Sequence, residues 1–164
     1  MELAEFFAGQ VDREAPITRR VIERVPDNIA SGWKPHPKSM EFGYLSSLVA
    51  GMFGWISMMV TTEFLDLGAG GGGPHATSTA ERLALLDKSV ADAKRALEGT
   101  TDDDLKKAWQ LRVSGRVVDE KPRFMQIADT FTHLAHHRGQ LTVYLRLNDV
   151  AIPSVYGPTA DERW

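Results

Sequence analysis

One uncharged stretch of 17 residues, YLSSLVAGMFGWISMMV from Tyr44 to Val60, constrains the fold more than any other part of the sequence. Its apolar side chains recur at helical spacing, which predicts a single helix from about Ser39 to Leu67. The stretch borders on the length of a membrane span, but it contains two glycines and three serines, and amphipathic segments flank it. We therefore interpret it as the buried helix of a cytoplasmic protein with no membrane partner.

Three other segments have helical periodicity, at about Glu2 to Arg24, Ala80 to Glu98 and Pro122 to Leu147. Gly70 to Gly73 predict a flexible loop, because a run of glycines cannot hold a helix. Residues 108–123, AWQLRVSGRVVDEKPR, are rich in β-branched side chains and predict an extended or hairpin-like crossing. The 164 residues, 43% of them hydrophobic, suit one domain spanning residues 1–164. The predicted fold class is all-α, a four-helix bundle with this short crossing before the last helix.

Composition excludes some classes of function. The net charge is −3, and lysines and arginines form no run longer than a pair, which argues against a nucleic-acid partner. The chain has no cysteine, so it has neither a disulfide framework nor a thiolate metal site. A transition-metal site would therefore have to use histidine, aspartate or glutamate side chains.

The last predicted helix carries a histidine pair. His133 and His137 lie one helical turn apart, so both imidazoles can reach one metal ion from the same helix face. Gln140 and Tyr144 continue this polar face, which the helical wheel places opposite the core stripe. Arg138 lies on the core side, where we expect it either to extend its charged end to the solvent or to pair with a carboxylate, in a structural role. The spacing alone also fits an ordinary solvated face without a metal.

Two sequence runs carry a resemblance to a known family. HLAHHRGQLTVYLRL, followed by VAIPSVYGPTADE, resembles the DinB-like family of bacterial proteins (DinB/YfiT type), and VIERVPDNIASGWKPHPKSMEFGYLSSLVAGMFGW extends the resemblance upstream. The resemblance implies a four-helix bundle with up-down-down-up connectivity and a frequent homodimer. It also implies a divalent metal held by three histidines, two of which correspond to His133 and His137. Some members are thiol-dependent transferases or isomerases.

This sequence departs from the family pattern at the third ligand. The resemblance places Leu48 where the third histidine of the family stands, and leucine cannot bind a metal. Without a third strong ligand, we expect a divalent metal such as zinc, nickel or manganese to bind weakly or not at all. The residues that could complete the site by another route are His36, Glu41, Glu63, His75 and Asp129.

Three hypotheses about function follow. The first is a non-catalytic protein that binds a small ligand or acts in a stress response, with Leu48, Gln140 and Tyr144 lining an apolar pocket. The alternative is a divalent-metal-dependent enzyme of the transferase or hydrolase type that uses His133 and His137. A purely structural role of the polar face in a homodimer is compatible with either.

Overall fold

A computed structural model gives the structure of the chain and describes residues 2–69, 73 and 75–163. The predicted glycine loop lies mostly outside the described residues. The elements, in chain order, are helices α1 (Leu3–Ile22), α2 (Phe42–Gly51) and α3 (Gly54–Thr61), strand β1 (Phe64–Asp66), a short 3-10 helix (Leu67–Ala69), helices α4 (Thr79–Glu98) and α5 (Asp102–Lys106), strands β2 (Ala108–Val113) and β3 (Arg116–Pro122), and helix α6 (Arg123–Leu147).

The predicted fold class, an all-α four-helix bundle, is wrong. The described part of the chain contains six α-helices and a mixed sheet of three strands in the order β1-β2-β3. β1 pairs in parallel with β2, and β2 pairs antiparallel with β3. The crossing predicted over residues 108–123 is present as the β2–β3 hairpin, but the strand that joins it from a distant part of the chain was not expected.

The long helix predicted from Ser39 to Leu67 is two helices and a strand. α2 and α3 meet at an angle of 55° across a break between Gly51 and Gly54. At this break the Ser89 hydroxyl of α4 donates to the Ala50 carbonyl, 3.0 Å away, which satisfies an acceptor at the end of α2. α3 ends at Thr61, because Thr62 adopts an extended conformation and its hydroxyl donates back to the Met58 carbonyl.

The hairpin turn is tied to β1 by one carboxylate. Ser114 and Gly115 both have positive φ, of 49° and 79°, as tight hairpin turns require. Asp66, at the end of β1, accepts hydrogen bonds from the backbone N–H groups of Gly115 (2.6 Å) and Gly68 (2.8 Å). Asp66 therefore joins the short 3-10 helix to the β2–β3 turn, and it helps hold three residues of β1 in the sheet.

The helices enclose one hydrophobic core. α4 packs against α1, α2 and α3, while α6 packs against α1, α2, α3 and the sheet. The core side chains come from every helix and from β2, where Trp109 is buried. Within the described residues, no single helix has the length and hydropathy needed to cross a membrane, although the bent pair α2–α3 passes that test on length and composition.

Candidate functional site

Helix α6 is buried on two faces. Its apolar side chains Ile127, Leu134, Leu141 and Leu145 lie in the core, as the helical wheel predicts. On the face predicted to be polar, Gln126, Thr130, His137 and Tyr144 are each less than a tenth exposed, whereas His133 and Gln140 are exposed. The buried side chains are covered by different elements, since Gln126 contacts Asp119 of β3, Thr130 contacts Met59 of α3 and Tyr144 packs against Trp33.

The two histidines of α6 are in direct contact. Nε2 of His133 lies 2.8 Å from Nε2 of His137, and Nδ1 of His137 lies 2.8 Å from Oε1 of Gln140. With Oε1 of Gln140 facing the ring, a neutral His137 carries its proton on Nδ1 and accepts at Nε2. Nε2 of His133 must then be the donor, which leaves Nδ1 of His133 without a proton.

The surroundings of both imidazoles disfavour the charged form, although His133 stays partly open to solvent. Burial lowers the pKa of His133, and the neighbouring His137 and His136 lower it further. Burial also lowers the pKa of His137, against a smaller opposite effect of the Gln140 hydrogen bond. Trp55 adds to the apolar surroundings, because its ring lies 5.3 Å from the His133 ring. At neutral pH the pair therefore offers lone pairs and one shared proton, and no positive charge.

The pair supplies part of a metal site. A metal about 2.1 Å from both nitrogens would form an N–metal–N angle of about 85° at their present separation, so tetrahedral zinc would require the nitrogens to move apart by about 0.6 Å. Leu48 is buried in the core on α2, as an apolar side chain. Within the described ranges, no three histidine, aspartate or glutamate side chains are grouped so as to hold a metal ion.

The other candidate metal ligands either contact other residues or are exposed to solvent. Glu41 lies 3.7 Å from the Lys34 ammonium, and the Nδ1 atom of His36 accepts from the Lys38 backbone N–H. Asp129 pairs with Lys121 at 2.6 Å. The remaining two, Glu63 and His75, are exposed. The donor set that the structure offers is therefore two imidazoles, which is less than the three protein ligands typical of catalytic zinc.

A cavity of about 270 Å³ opens beside the histidine pair. We call it the His133 cavity. Its apolar walls come from two parts of the fold, α3 on one side and the β1–β2 region on the other. The apolar lining residues are Trp55, Met58 and Met59 of α3, with Leu65, Leu67, Trp109 and Leu111 of the sheet side. A cavity of this size and lining suits a molecule of about one ring, below the usual range for drug-sized ligands.

Helix α6 supplies the polar side of the His133 cavity. The polar lining residues are Gln126, Asp129, Thr130 and His133. The Thr130 hydroxyl donates to the Gln126 carbonyl at 3.0 Å, and Gln126 donates a side-chain N–H to Asp119 of β3 at 3.1 Å. Lys121 contacts both Asp119 and Asp129. This network of side chains links β3 to the part of α6 that forms the polar wall.

Alternation along the sheet explains how the cavity forms. Trp109 and Leu111 of β2 share one face, and Leu65 of β1 pairs with Leu111 in register, so this face is apolar. The indole N–H of Trp109 donates to the Thr62 hydroxyl at 3.1 Å, which fixes the ring. The opposite face is polar, since Arg112 stacks over the Phe64 ring and also donates to Gln110. The sheet therefore presents a wall to α3 and α6.

A larger cleft of about 550 Å³ lies away from the histidines, between α3, the end of α4 and α5. Its charged groups mostly have partners within the protein. Asp92 pairs with Lys88 and Arg95, and Lys107 pairs with Asp104. The Arg123 guanidinium donates hydrogen bonds to the carbonyls of Met59, Thr62 and Ala108. Despite its size, we regard this cleft as structural, because its polar groups satisfy one another.

Arg138 is the centre of a buried polar cluster, and the prediction that it pairs with a carboxylate is confirmed. Its guanidinium contacts Glu14 of α1 at 2.7 Å, the Thr18 hydroxyl at 2.8 Å and the Tyr156 hydroxyl of the C-terminal segment. Burial raises the pKa of Glu14, but hydrogen bonds from Arg138 and Tyr156 outweigh this effect and hold it below its ordinary value. The cluster joins α1, α6 and the C-terminal segment next to His137.

The structure separates the predicted site residues into groups. His133 lines the cavity, while His137 and Gln140 lie behind it and set the proton position of His133. Tyr144 donates its hydroxyl to the Met40 carbonyl at 3.2 Å and packs against Trp33. Neither Leu48, Gln140 nor Tyr144 is among the residues that line the cavity. Sequence reasoning missed both tryptophans of the cavity, although the alternation of Trp109 and Leu111 was a usable signal.

Comparison with known proteins bears on the fold. No protein-family model matches the chain, and no curated protein is significantly similar to it. Among solved structures, the chain is similar to a DinB-like protein from Bacillus cereus ATCC 10987, with a TM-score of 0.71 and 22% identity over 93% of this chain and 97% of that one. It is also similar to a DinB-like protein from Bacillus subtilis, with a TM-score of 0.65 and 15% identity over 96% of this chain and 99% of that one. The predicted resemblance is confirmed at the level of the fold.

Proposed function

We propose that this chain, which has the fold of DinB-like proteins, binds a small, largely apolar molecule in the His133 cavity. The observation that carries the proposal is the cavity itself, about 270 Å³ lined by Trp55, Trp109 and other apolar side chains, with the polar side chains of α6 on one side. A preformed apolar cavity with few polar groups is the usual form of a small-molecule site. Leu48 supports the proposal, because a leucine stands at the position where the family resemblance implies the third metal ligand.

The protein's own residues account for each requirement of binding. Apolar surface from α3 and the sheet would be withdrawn from water when a ligand fills the cavity, which stabilises the complex by about 25 cal/mol for each Å² buried. The α6 side chains orient the ligand. Asp119 and Asp129 both pair with Lys121, so the polar side of the cavity already has partners within the protein before a ligand binds.

Calorimetric titration with 4-ethylphenol tests the proposal. We expect one binding site per chain in the wild-type protein. Leu111→Trp, which adds bulk to a cavity wall, should abolish the binding heat, whereas Val113→Trp on the same strand, outside the cavity lining, should leave it unchanged. Circular dichroism checks that both variants fold. Equal binding by wild type and Leu111→Trp would place the site elsewhere, and no binding by wild type to any single-ring probe would refute the proposal.

A metal-dependent enzyme is the second candidate. The observation in its favour is that Nε2 of His133 and Nε2 of His137 lie 2.8 Å apart, already on one side of the helix. The observation against it is the absence of a third donor within the described residues. Metal analysis by mass spectrometry after dialysis separates the candidates, because one equivalent of a single metal would favour the enzyme.

A further inference from the structure

We propose that the His133 cavity selects ligands that carry a hydroxyl group, such as alcohols and phenols, over ethers and hydrocarbons of the same size. This inference rests on the proposed function and adds the chemical class of the ligand. It follows from the direction of the hydrogen bonds that surround the cavity rather than from its shape.

The proton chain behind the cavity fixes one acceptor. Gln140 accepts from His137, and His137 accepts from Nε2 of His133, so both donated protons point away from the ligand side. Nδ1 of His133 has no hydrogen-bond partner among the described residues. Because the His133 ring lines the cavity and its other nitrogen is occupied, Nδ1 is the nitrogen with which a ligand can bond. A ligand must donate a proton to use it.

The other polar side chains of the wall add to this bias. The Thr130 hydroxyl donates its proton to the Gln126 carbonyl, so it can only accept a hydrogen bond from a ligand. Asp129 is a carboxylate and can only accept, and one of its oxygens already accepts from Lys121. Three of the four polar lining residues therefore present acceptors, to which an ether or a hydrocarbon cannot donate a hydrogen bond.

Two lining side chains can also donate. Gln126 has one amide N–H beyond the one that Asp119 accepts, and the indole N–H of Trp55 has no acceptor within the described part of the chain. A hydroxyl group both donates and accepts, so it can bond to His133 and to one of these donors at once. An ether oxygen can accept but cannot satisfy His133. A hydroxyl thus matches the mixed wall better than any pure acceptor.

A pair of isomers tests the inference. 4-Ethylphenol and 4-methylanisole have the same atomic composition, but only the phenol can donate a hydrogen bond. We expect calorimetry to give a dissociation constant five to ten times lower for the phenol, about what one net hydrogen bond supplies. In His133→Phe, which keeps a ring against Trp55 and removes the acceptor, the ratio should fall below about twofold. His133 is exposed enough that this variant should fold, and circular dichroism checks it.

His75→Phe is the matched control, because it changes an exposed histidine that does not line the cavity. It should keep the wild-type ratio. Equal affinity for the two isomers in wild-type protein, or tighter binding of 4-methylanisole, would overturn the inference and leave the proposed function standing. The same holds if His133→Phe keeps the full preference for the phenol. Binding of neither isomer would overturn both the inference and the proposed function.

Discussion

Removal of the Glu14 carboxylate should strongly destabilise the protein. The side chains of Glu14 and Arg138 are 4% and 1% exposed, and their charged atoms lie 2.7 Å apart. Glu14→Leu leaves a buried guanidinium whose remaining partners, the Thr18 and Tyr156 hydroxyls, carry no charge. Breaking a buried pair in this way costs about 3–5 kcal/mol. That loss is a large part of the total stability of an ordinary domain, about 5–15 kcal/mol.

The substitution Arg138→Met should destabilise the protein less than Glu14→Leu, because the Glu14 carboxylate keeps a charged neighbour. In Arg138→Met, the remaining Glu14 carboxylate still lies 3.0 Å from the Arg13 guanidinium and still accepts from the Tyr156 hydroxyl at 2.8 Å. Arg13 is mostly exposed and can follow the charge. We expect a loss of about 2–3 kcal/mol for Arg138→Met, and a double variant at least 1 kcal/mol more stable than the sum of the two losses.

Urea unfolding, followed by tryptophan fluorescence, measures these differences. With an m-value of about 2 kcal/mol/M, Glu14→Leu should lower the unfolding midpoint by roughly 2 M. The exposed pair of Lys88 and Asp92 gives the control, since Lys88→Ala should cost less than about 0.5 kcal/mol. A loss below 1 kcal/mol for Glu14→Leu, or strict additivity of the two substitutions, would refute the argument that this pair is buried and coupled.

Two further predictions concern the histidine site. Because the folded-state pKa values of His133 and His137 lie below the ordinary value of about 6.5, the unfolded chain binds more protons there, and stability should fall as the pH drops from 7 to 5. The pKa of Glu14 is lowered from its ordinary value, so Glu14 affects stability only at more acid pH. A His133→Asn, His137→Asn variant should therefore show a smaller change in the urea midpoint between pH 7 and 5. An unchanged pH dependence in this variant would contradict the assignment of the effect to the two histidines. Leu48→His should restore a three-histidine donor set and retain about one equivalent of zinc after dialysis, measured by mass spectrometry, with Leu48→His, His137→Ala as the zinc-free control. A folded Leu48→His protein that retains no zinc would show that position 48 does not face the pair.

The helices with strong periodicity and the β2–β3 hairpin could be predicted from the sequence, but the strand β1 that completes the sheet could not. The helix predicted from Ala80 to Glu98 is found at Thr79–Glu98, and the one predicted from Pro122 to Leu147 is found at Arg123–Leu147. β1 has only three residues, too few for a periodic signal, and its partner β2 lies far along the chain. Parallel pairing of this kind depends on tertiary contacts that no local pattern contains.

The candidate site could be predicted only in part, because a sequence pattern shows local helix geometry but not the tertiary contacts that form a cavity. The spacing of four residues places His133 beside His137, since helix geometry alone fixes that relation. Which side of α6 faces water depends on its neighbours, and a helix covered on two sides has no single apolar stripe. The cavity walls come from Trp55 and Trp109, which only the folded chain brings together. The sequence alone showed that Leu48 stands at the position of the third ligand, but the apolar cavity beside His133 could be seen only in the structure.

Calorimetric titration of 4-ethylphenol into protein freed of metal by a chelator tests most directly whether the His133 cavity, rather than a metal centre, is the functional site. We expect one binding site per chain, with the same affinity before and after chelation, because Trp55, Trp109 and Leu111 supply the binding surface and no metal takes part. Binding that disappears on chelation and returns with one equivalent of zinc would contradict the account and assign the site to His133 and His137 as metal ligands.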